Sequence, residues 1–180
     1  MEGQDALFGS LNAIKSELEL AHFLRKLADH FDFKGFMLVD IPAAIDEHLL
    51  SRIAVSDLPC GLNEAYDALG LLKNSPVFAA LRRSTAPVAW SSTPLGNDRP
   101  SSEVDTAREL FAGHSLTLGV YFPVHGSNGA RAAVGFVGNR KALTHTELGE
   151  LGIFVMHAYD VYSNLKNRSQ IAVSLLTARE

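Results

Sequence analysis

Seven histidines and one cysteine carry most of the capacity for metal binding or nucleophilic chemistry in this 180-residue sequence. The histidines (His22, His30, His48, His114, His125, His145 and His157) fall on segments that read variously as helix, strand and turn. No pair has the close spacing that ligands on one element need, and His145 fits better as a first-turn helix residue. Cys60 has nothing around it in sequence to lower a thiol pKa, so it reads as a small buried hydrophobe rather than a nucleophile. There is no G-x-G-x-x-G after a strand, no phosphate loop, no H-E-x-x-H and no G-x-S-x-G. No catalytic residue, metal ligand or cofactor is therefore assigned, and the chain reads as a non-enzyme.

Charge and composition narrow the remaining classes. Sixteen Lys and Arg against twenty Asp and Glu give a net charge of −4, so no basic stripe of the kind that neutralises a phosphate backbone is expected here. A lone cysteine excludes an intrachain disulfide. The opening Met1-Glu2-Gly3-Gln4-Asp5 lacks the basic and apolar regions of a secretory signal. The longest apolar stretches, such as Leu151 to Met156, fall far short of the roughly 20 residues that cross a bilayer. The expectation is a cytoplasmic domain without a membrane partner, with 47% hydrophobic residues to build one core.

The elements that must position any site can be read from caps and periodicity. Ser16-Glu17-Leu18-Glu19 is a capping box, followed by Leu20, Leu24, Leu27 and Phe31 on one helical face. Phe36 to Val39 reads as a buried strand, and a second strand is expected around Leu50 to Val55. Pro59 and Pro76 each open a short helix, through Tyr66 and Arg83 respectively, because proline is tolerated in a first helical turn. Ser101 to Phe111 is a further helix. The apolar runs Thr117–Val124 and Ala130–Val137, joined by a Gly- and Asn-containing connection, form a hairpin. Thr144-His145-Thr146-Glu147 caps a long helix with Leu148, Leu151, Val155, Ala158 and Tyr162 on one stripe. That stripe reads first as core; the alternative is an exposed remainder of the helix, including Phe154, Tyr159 and Tyr162, as a candidate dimer surface. The order α-β-β-α-α-α-β-β-α predicts an α+β fold, an antiparallel sheet with helices on both faces.

Several landmarks together resemble a known family. Leu176-Thr177-Ala178-Arg179-Glu180 is similar to the L-T-x-R-E that opens the helix-turn-helix of LuxR-type transcription regulators. Upstream, Pro59 … Leu62 … Tyr66 … Ser75-Pro76-Val77 … Trp90-Ser91 has the spacing of that family's autoinducer-binding domain, whose usual pattern is P-x-x-W, Tyr, Asp-Pro-Val and Trp-Ser. Ser115-Leu116-Thr117-Leu118-Gly119 and Pro123-Val124-His125-Gly126 look like its G-L-x-x-G and P-x-H-G. The resemblance implies an α-β-α sandwich related to GAF and PAS sensors, with a central antiparallel sheet of about five strands. It implies a sensor domain over residues 1–166, with 167–180 as linker and the start of a truncated helix-turn-helix domain. DNA would be reached through that missing domain, the partner would be a second copy or another regulator, and the ligand an apolar or acyl-homoserine-lactone-like signal.

The departures from the family pattern bear on that ligand. Family members that bind N-acyl homoserine lactones grip the head group with aspartate, tryptophan, tyrosine and Ser/Thr side chains. The resemblance puts Ser75 at the aspartate, Leu62 at the tryptophan, Leu58 at the first tyrosine and Gly135 at the Ser/Thr. Tyr66 is retained, with Trp90 as an aromatic wall. A hydrogen bond to a charged group contributes about 1.5–3 kcal/mol and a buried carbonyl or N–H left unpaired costs about 1–3 kcal/mol, so losing the aspartate and tryptophan contacts together would cost roughly 3–6 kcal/mol, on the order of 10²–10⁴ in affinity. The expectation is an orphan receptor not tuned to the standard lactones, with a closed, largely apolar cavity of roughly 300–1,000 Å³ lined by Leu58, Leu62, Tyr66, Ser75 and Trp90. The alternative is a pocket filled by its leucines, in a ligand-independent dimerisation or partner-docking module.

Overall fold

The structure, a computed structural model, describes residues 2–91 and 100–177, with side chains described over 6–91 and 100–169. Five strands form one antiparallel sheet: β1 (Gly35–Asp40), β2 (Ile53–Ser56), β3 (Val88–Ser91), β4 (Leu118–His125) and β5 (Arg131–Gly138), in the order β2-β1-β5-β4-β3. Six helices flank it: α1 (Glu2–Asn12), α2 (Glu17–His30), α3 (Leu62–Ala68), α4 (Pro76–Arg83), α5 (Ser101–Gly113) and α6 (His145–Thr177). The fold is the α+β sandwich expected, with both sheet faces covered.

Strand alternation sorts the core into two halves. Phe36, Leu38, Val120, Phe122, Val134 and Phe136 face one way and bury against α1, α2 and α6. Met37, Val39, Tyr121, Ala133 and Val137 face the other way, beneath α3, α4 and α5. The β4–β5 hairpin keeps full register from Leu118↔Gly138 to His125↔Arg131. Its turn uses Gly129 at φ 82, a left-handed conformation that glycine adopts without a side-chain clash.

Both helix caps form, the one at α2 with its carboxylate turned to the residue before the N-cap. The Glu19 amide donates to Ser16 Oγ at 3.2 Å, while Glu19 Oε2 accepts from the Lys15 amide at 2.6 Å. At α6 the exchange is reciprocal: the Glu147 amide donates to Thr144 Oγ1 at 3.2 Å and the Thr144 amide to Glu147 Oε2 at 2.7 Å. Arg140 adds a second hold on Glu147 at 2.8 Å, and hydrogen bonding to this guanidinium and to Thr144 lowers the Glu147 carboxyl to about 2.

Several expectations need correcting. α1 and β3 were not foreseen from local patterning. α3 starts at Leu62, one turn after Pro59, because Gly61 at φ 79 occupies the N-cap position. Phe154, Tyr159 and Tyr162 are buried rather than exposed, at 2%, 5% and 4%. They face α1, α2 and the sheet, with Phe154 4.4 Å from the Phe8 ring and 6.4 Å from Phe23. Among the described side chains of α6, the exposed large apolar residues are instead Ile153 and Met156. Cys60 is exposed, on the turn that precedes α3. The backbone of α6 runs through position 166 without a break as far as Thr177.

Candidate ligand-binding cavity

Helices α3, α4 and α5 do not fill the space above their face of the sheet. A cavity of about 170 Å³ remains between them and strands β1, β3, β4 and β5. Leu58, Leu62, Tyr66, Ser75 and Trp90 all line it. It is smaller than expected and not fully closed, since exposed Ser91, Arg108 and Ala112 also contribute to its wall. Much of the missing volume is taken by aromatic rings: Phe78 and Tyr121 pack at 6.1 Å, Trp90 and Phe111 at 4.7 Å, and Tyr66 and Phe111 at 6.3 Å.

Ser75 sits at the N-cap of α4, followed by Pro76 at the first helical position. Its Oγ accepts the Phe78 amide at 3.4 Å, and at 3% exposure it is the one non-aromatic polar residue among the described residues that is buried as a whole. The cap engages an oxygen lone pair and leaves the hydroxyl hydrogen without an acceptor among the described residues. Tyr66 lies on the buried side of α3, where its hydroxyl donates to the Leu71 carbonyl at 3.2 Å. That bond secures the turn after α3 as well as placing the ring against the cavity. Leu58 and Leu62 supply apolar wall.

Trp90 owes its position to a missing side chain. It pairs with Gly119 across the β3–β4 ladder, and a Cβ on Gly119 would lie 2.2 Å from Trp90 Nε1. The indole therefore lies directly on the β4 backbone. The same device operates one strand over. Gly135, a residue singled out as a ligand contact, is not among the cavity-lining residues. It pairs with Tyr121, and a Cβ there would stand 2.3 Å from Tyr121 Cε1. The ring of Tyr121 occupies the space that a side chain at 135 would need.

Tyr121 is the functional candidate that local sequence reasoning missed. It lines the cavity at 8% exposure, and its hydroxyl has no hydrogen-bond partner among the described residues. Burial, reinforced by the nearby Tyr66, pushes its ionisation above the ordinary tyrosine range, so the phenol stays neutral. The signal available in sequence was parity. Leu118, Val120, Phe122 and Val124 are the apolar set facing α2 and α6, which leaves Gly119 and Tyr121 on the opposite face.

The electrostatics of the cavity are simple. No acidic residue lines it among the described residues, and Arg108 on α5 is the one charged side chain there. Arg108 is exposed and already paired with Asp105 at 2.9 Å. No group of three His, Cys, Asp or Glu that could hold a metal ion occurs among the described residues, and none of their helices is long and apolar enough to cross a membrane.

A sheet with helices on both faces and an apolar, sparsely polar cavity on one of them is the architecture of a small-molecule-binding domain. Residues 16–162 match the family model described as "Autoinducer binding domain", and the chain belongs to that family, the signal-binding domain of LuxR-type transcription regulators rather than a family of enzymes. Among solved structures it is similar to SdiA of Escherichia coli, with a TM-score of 0.64 at 16% identity over 92% of this chain and 68% of that one. It is similar to CepR2 of Burkholderia cenocepacia, described as an N-acylhomoserine-lactone-dependent LuxR-family transcription factor, with a TM-score of 0.64 at 14% identity over 93% of this chain and 96% of that one. SdiA in complex with octanoyl-rac-glycerol matches with a TM-score of 0.56 at 15% identity, over 88% of this chain and 67% of that one. At these identities the likeness is one of fold. No curated protein sequence matches the chain significantly.

Proposed function

We propose that the chain is the signal-sensing and dimerising part of a LuxR-type transcription regulator, and an orphan receptor not tuned to the standard acyl-homoserine lactones. The cavity carries this reading: it lies between the sheet and α3–α5, and five of the six residues chosen from the family pattern line it. Residues 1–166 form the sensor in this reading. Residues 167–180 lead to a DNA-binding domain, and the protein acts in the cytoplasm as a homodimer or with a partner regulator.

The orphan assignment rests on the chemistry of the wall. An amide N–H that other family members direct to an aspartate meets here the neutral, shorter Ser75, and Leu62 offers no indole donor. An unmatched buried polar group costs about 1–3 kcal/mol, which disfavours a lactone amide in this position. CepR2 is lactone-dependent by its description, whereas SdiA accepts octanoyl-rac-glycerol, an uncharged ester. The second example supports a cavity in this family taking a ligand that is not a lactone.

The test is to produce the 1–180 protein with and without a panel of acyl-homoserine lactones, extract it with organic solvent, and search for a stoichiometric small molecule by mass spectrometry. A co-purified non-lactone that raises the melting temperature supports the proposal. A retained lactone with the same effect refutes the orphan assignment. A stable protein that retains nothing favours the ligand-independent docking module.

A further inference from the structure

We propose that the Tyr121 hydroxyl, on the sheet wall of the cavity, is the polar anchor for an uncharged ligand: a compact apolar body bearing one hydrogen-bond acceptor, such as an ester or ketone carbonyl. This deepens the sensing function proposed above and rests on it.

The first observation is an unused donor. Tyr121 is more than nine-tenths buried, lines the cavity, and makes no hydrogen bond among the described residues. Buried tyrosine hydroxyls normally find a partner. The described residues around this one supply none, while Gly135 gives up its side chain so that the ring can lie against β5. Ser75 adds a second hydroxyl hydrogen without an acceptor on the opposite wall, at the start of α4. Both groups are neutral donors. A ligand that accepts a hydrogen bond complements them, whereas a purely donating head group does not.

The second observation is charge. Burying an ionised carboxylate or ammonium requires an opposite charge beside it. No acidic residue lines the cavity among the described residues, and its one charged lining residue, Arg108, is exposed and engaged with Asp105. Among the described residues neither a cation nor an anion would be compensated in the interior, which favours an uncharged guest. Size sets the third bound. About 170 Å³ is close to the roughly 150 Å³ of apolar cavities that accept a benzene-sized guest, so a body of roughly one ring or six carbons fits without opening the helices.

The experiment uses three probes with one body: methyl hexanoate, hexanoate at pH 7.5, and hexane. Each is titrated into wild-type protein and Tyr121→Phe by Trp90 emission, since the one tryptophan lines the cavity, with calorimetry on the same samples. Tyr121→Phe keeps the ring over Gly135 and removes only the donor. The ester is expected to bind about tenfold more weakly to the variant, the loss of one buried hydrogen bond. Hexane is expected to bind both proteins equally, and hexanoate at least about 100-fold more weakly than its ester. Equal affinity of the ester for both proteins overturns the proposal while leaving the cavity reading intact, because hexane still reports a guest. Hexanoate binding as tightly as the ester overturns it too, and its loss in Arg108→Ala would move the anchor to α5. If hexane also fails to bind wild-type protein, the sensing cavity itself fails and this proposal with it.

Discussion

Replacing Gly119 by alanine tests how the cavity wall is built. The new Cβ would stand 2.2 Å from Trp90 Nε1 and 2.6 Å from Cε2, so the indole must retreat by about 1.2 Å to reach ordinary contact near 3.4 Å. Its retreat is opposed by Phe111, whose ring is 4.7 Å from it on the α5 side. β4 cannot yield instead, because it is paired on both edges, with β3 and β5. Overpacking of this kind costs about 1–3 kcal/mol. For a domain of this size each kcal/mol lowers the melting temperature by roughly 2–4 °C, so a fall of roughly 2–12 °C is expected by circular dichroism. Trp90 is the one tryptophan in the sequence, so its emission reports the displacement directly, as a red shift on exposure to water. Gly149→Ala is the control. That glycine lies on the exposed side of α6 with nothing within 4 Å of its Cβ position, and alanine there should add about 0.5–1 kcal/mol. A Gly119→Ala protein with wild-type melting and unshifted emission would refute the packing argument, since the wall would then have tolerated a methyl group where the structure leaves no room.

Arg25→Ala should destabilise the protein by about 2 kcal/mol in urea denaturation, because its guanidinium donates to Asp57, Asp29 and the carbonyls of Phe33 and Lys34 and so ties α2 to the start of β1. Glu147, held near 2 against an ordinary 4.5, stabilises the fold fully above about pH 4.5 and progressively less as the pH falls toward 2. Urea midpoints of wild-type protein should therefore drop more steeply between pH 5 and pH 2.5 than those of Glu147→Gln. Ser75→Asp preserves a good N-cap for α4 while restoring a carboxylate, and is expected to raise the affinity for N-hexanoyl homoserine lactone about tenfold or more by calorimetry. Ser75→Ala removes the cap and should cost about 1 kcal/mol in the same denaturation assay.

Most of the frame is legible from local chemistry. Ser16 with Glu19 and Thr144 with Glu147 announce helix starts through short-range bonds that depend on nothing distant. The runs that became β4 and β5 were readable because a Gly- and Asn-containing turn lies between them. α1 and β3 escaped for opposite reasons. β3 has four residues, too few to show a period, and its identity comes from pairing with β4. α1 carries Leu7, Phe8 and Leu11 as apolar contacts but also Gly9 and Ser10, and it is held by packing against α2 and α6 rather than by propensity. The burial of Phe154, Tyr159 and Tyr162 follows from that same contact, because three helices on one face bury a wider part of α6 than a single stripe does.

The cavity was legible on its helical wall and not on its sheet wall. Leu58, Leu62, Tyr66 and Ser75 occur within one stretch of chain, so a spacing pattern captures them. Tyr121 and Gly135 lie on different strands, and only the register that sets them opposite each other reveals that one fills the space the other vacates. A large residue facing a glycine across a ladder is a two-body fact with no signature at either position alone. It changes the chemistry of the site all the same. With Leu58 and Leu62 beside Tyr66 and Ser75 on the helical wall and a neutral phenol on β4, the sheet also carries a polar group into the cavity. A strand paired on both edges holds its side chains more rigidly than short helices such as α3 and α4 hold theirs. Under the proposal above, a ligand anchored on Tyr121 would be held at the β4 end, with its apolar body against α3–α5. Recognition in such a cavity depends on where the acceptor lies relative to that body more than on the identity of a head group.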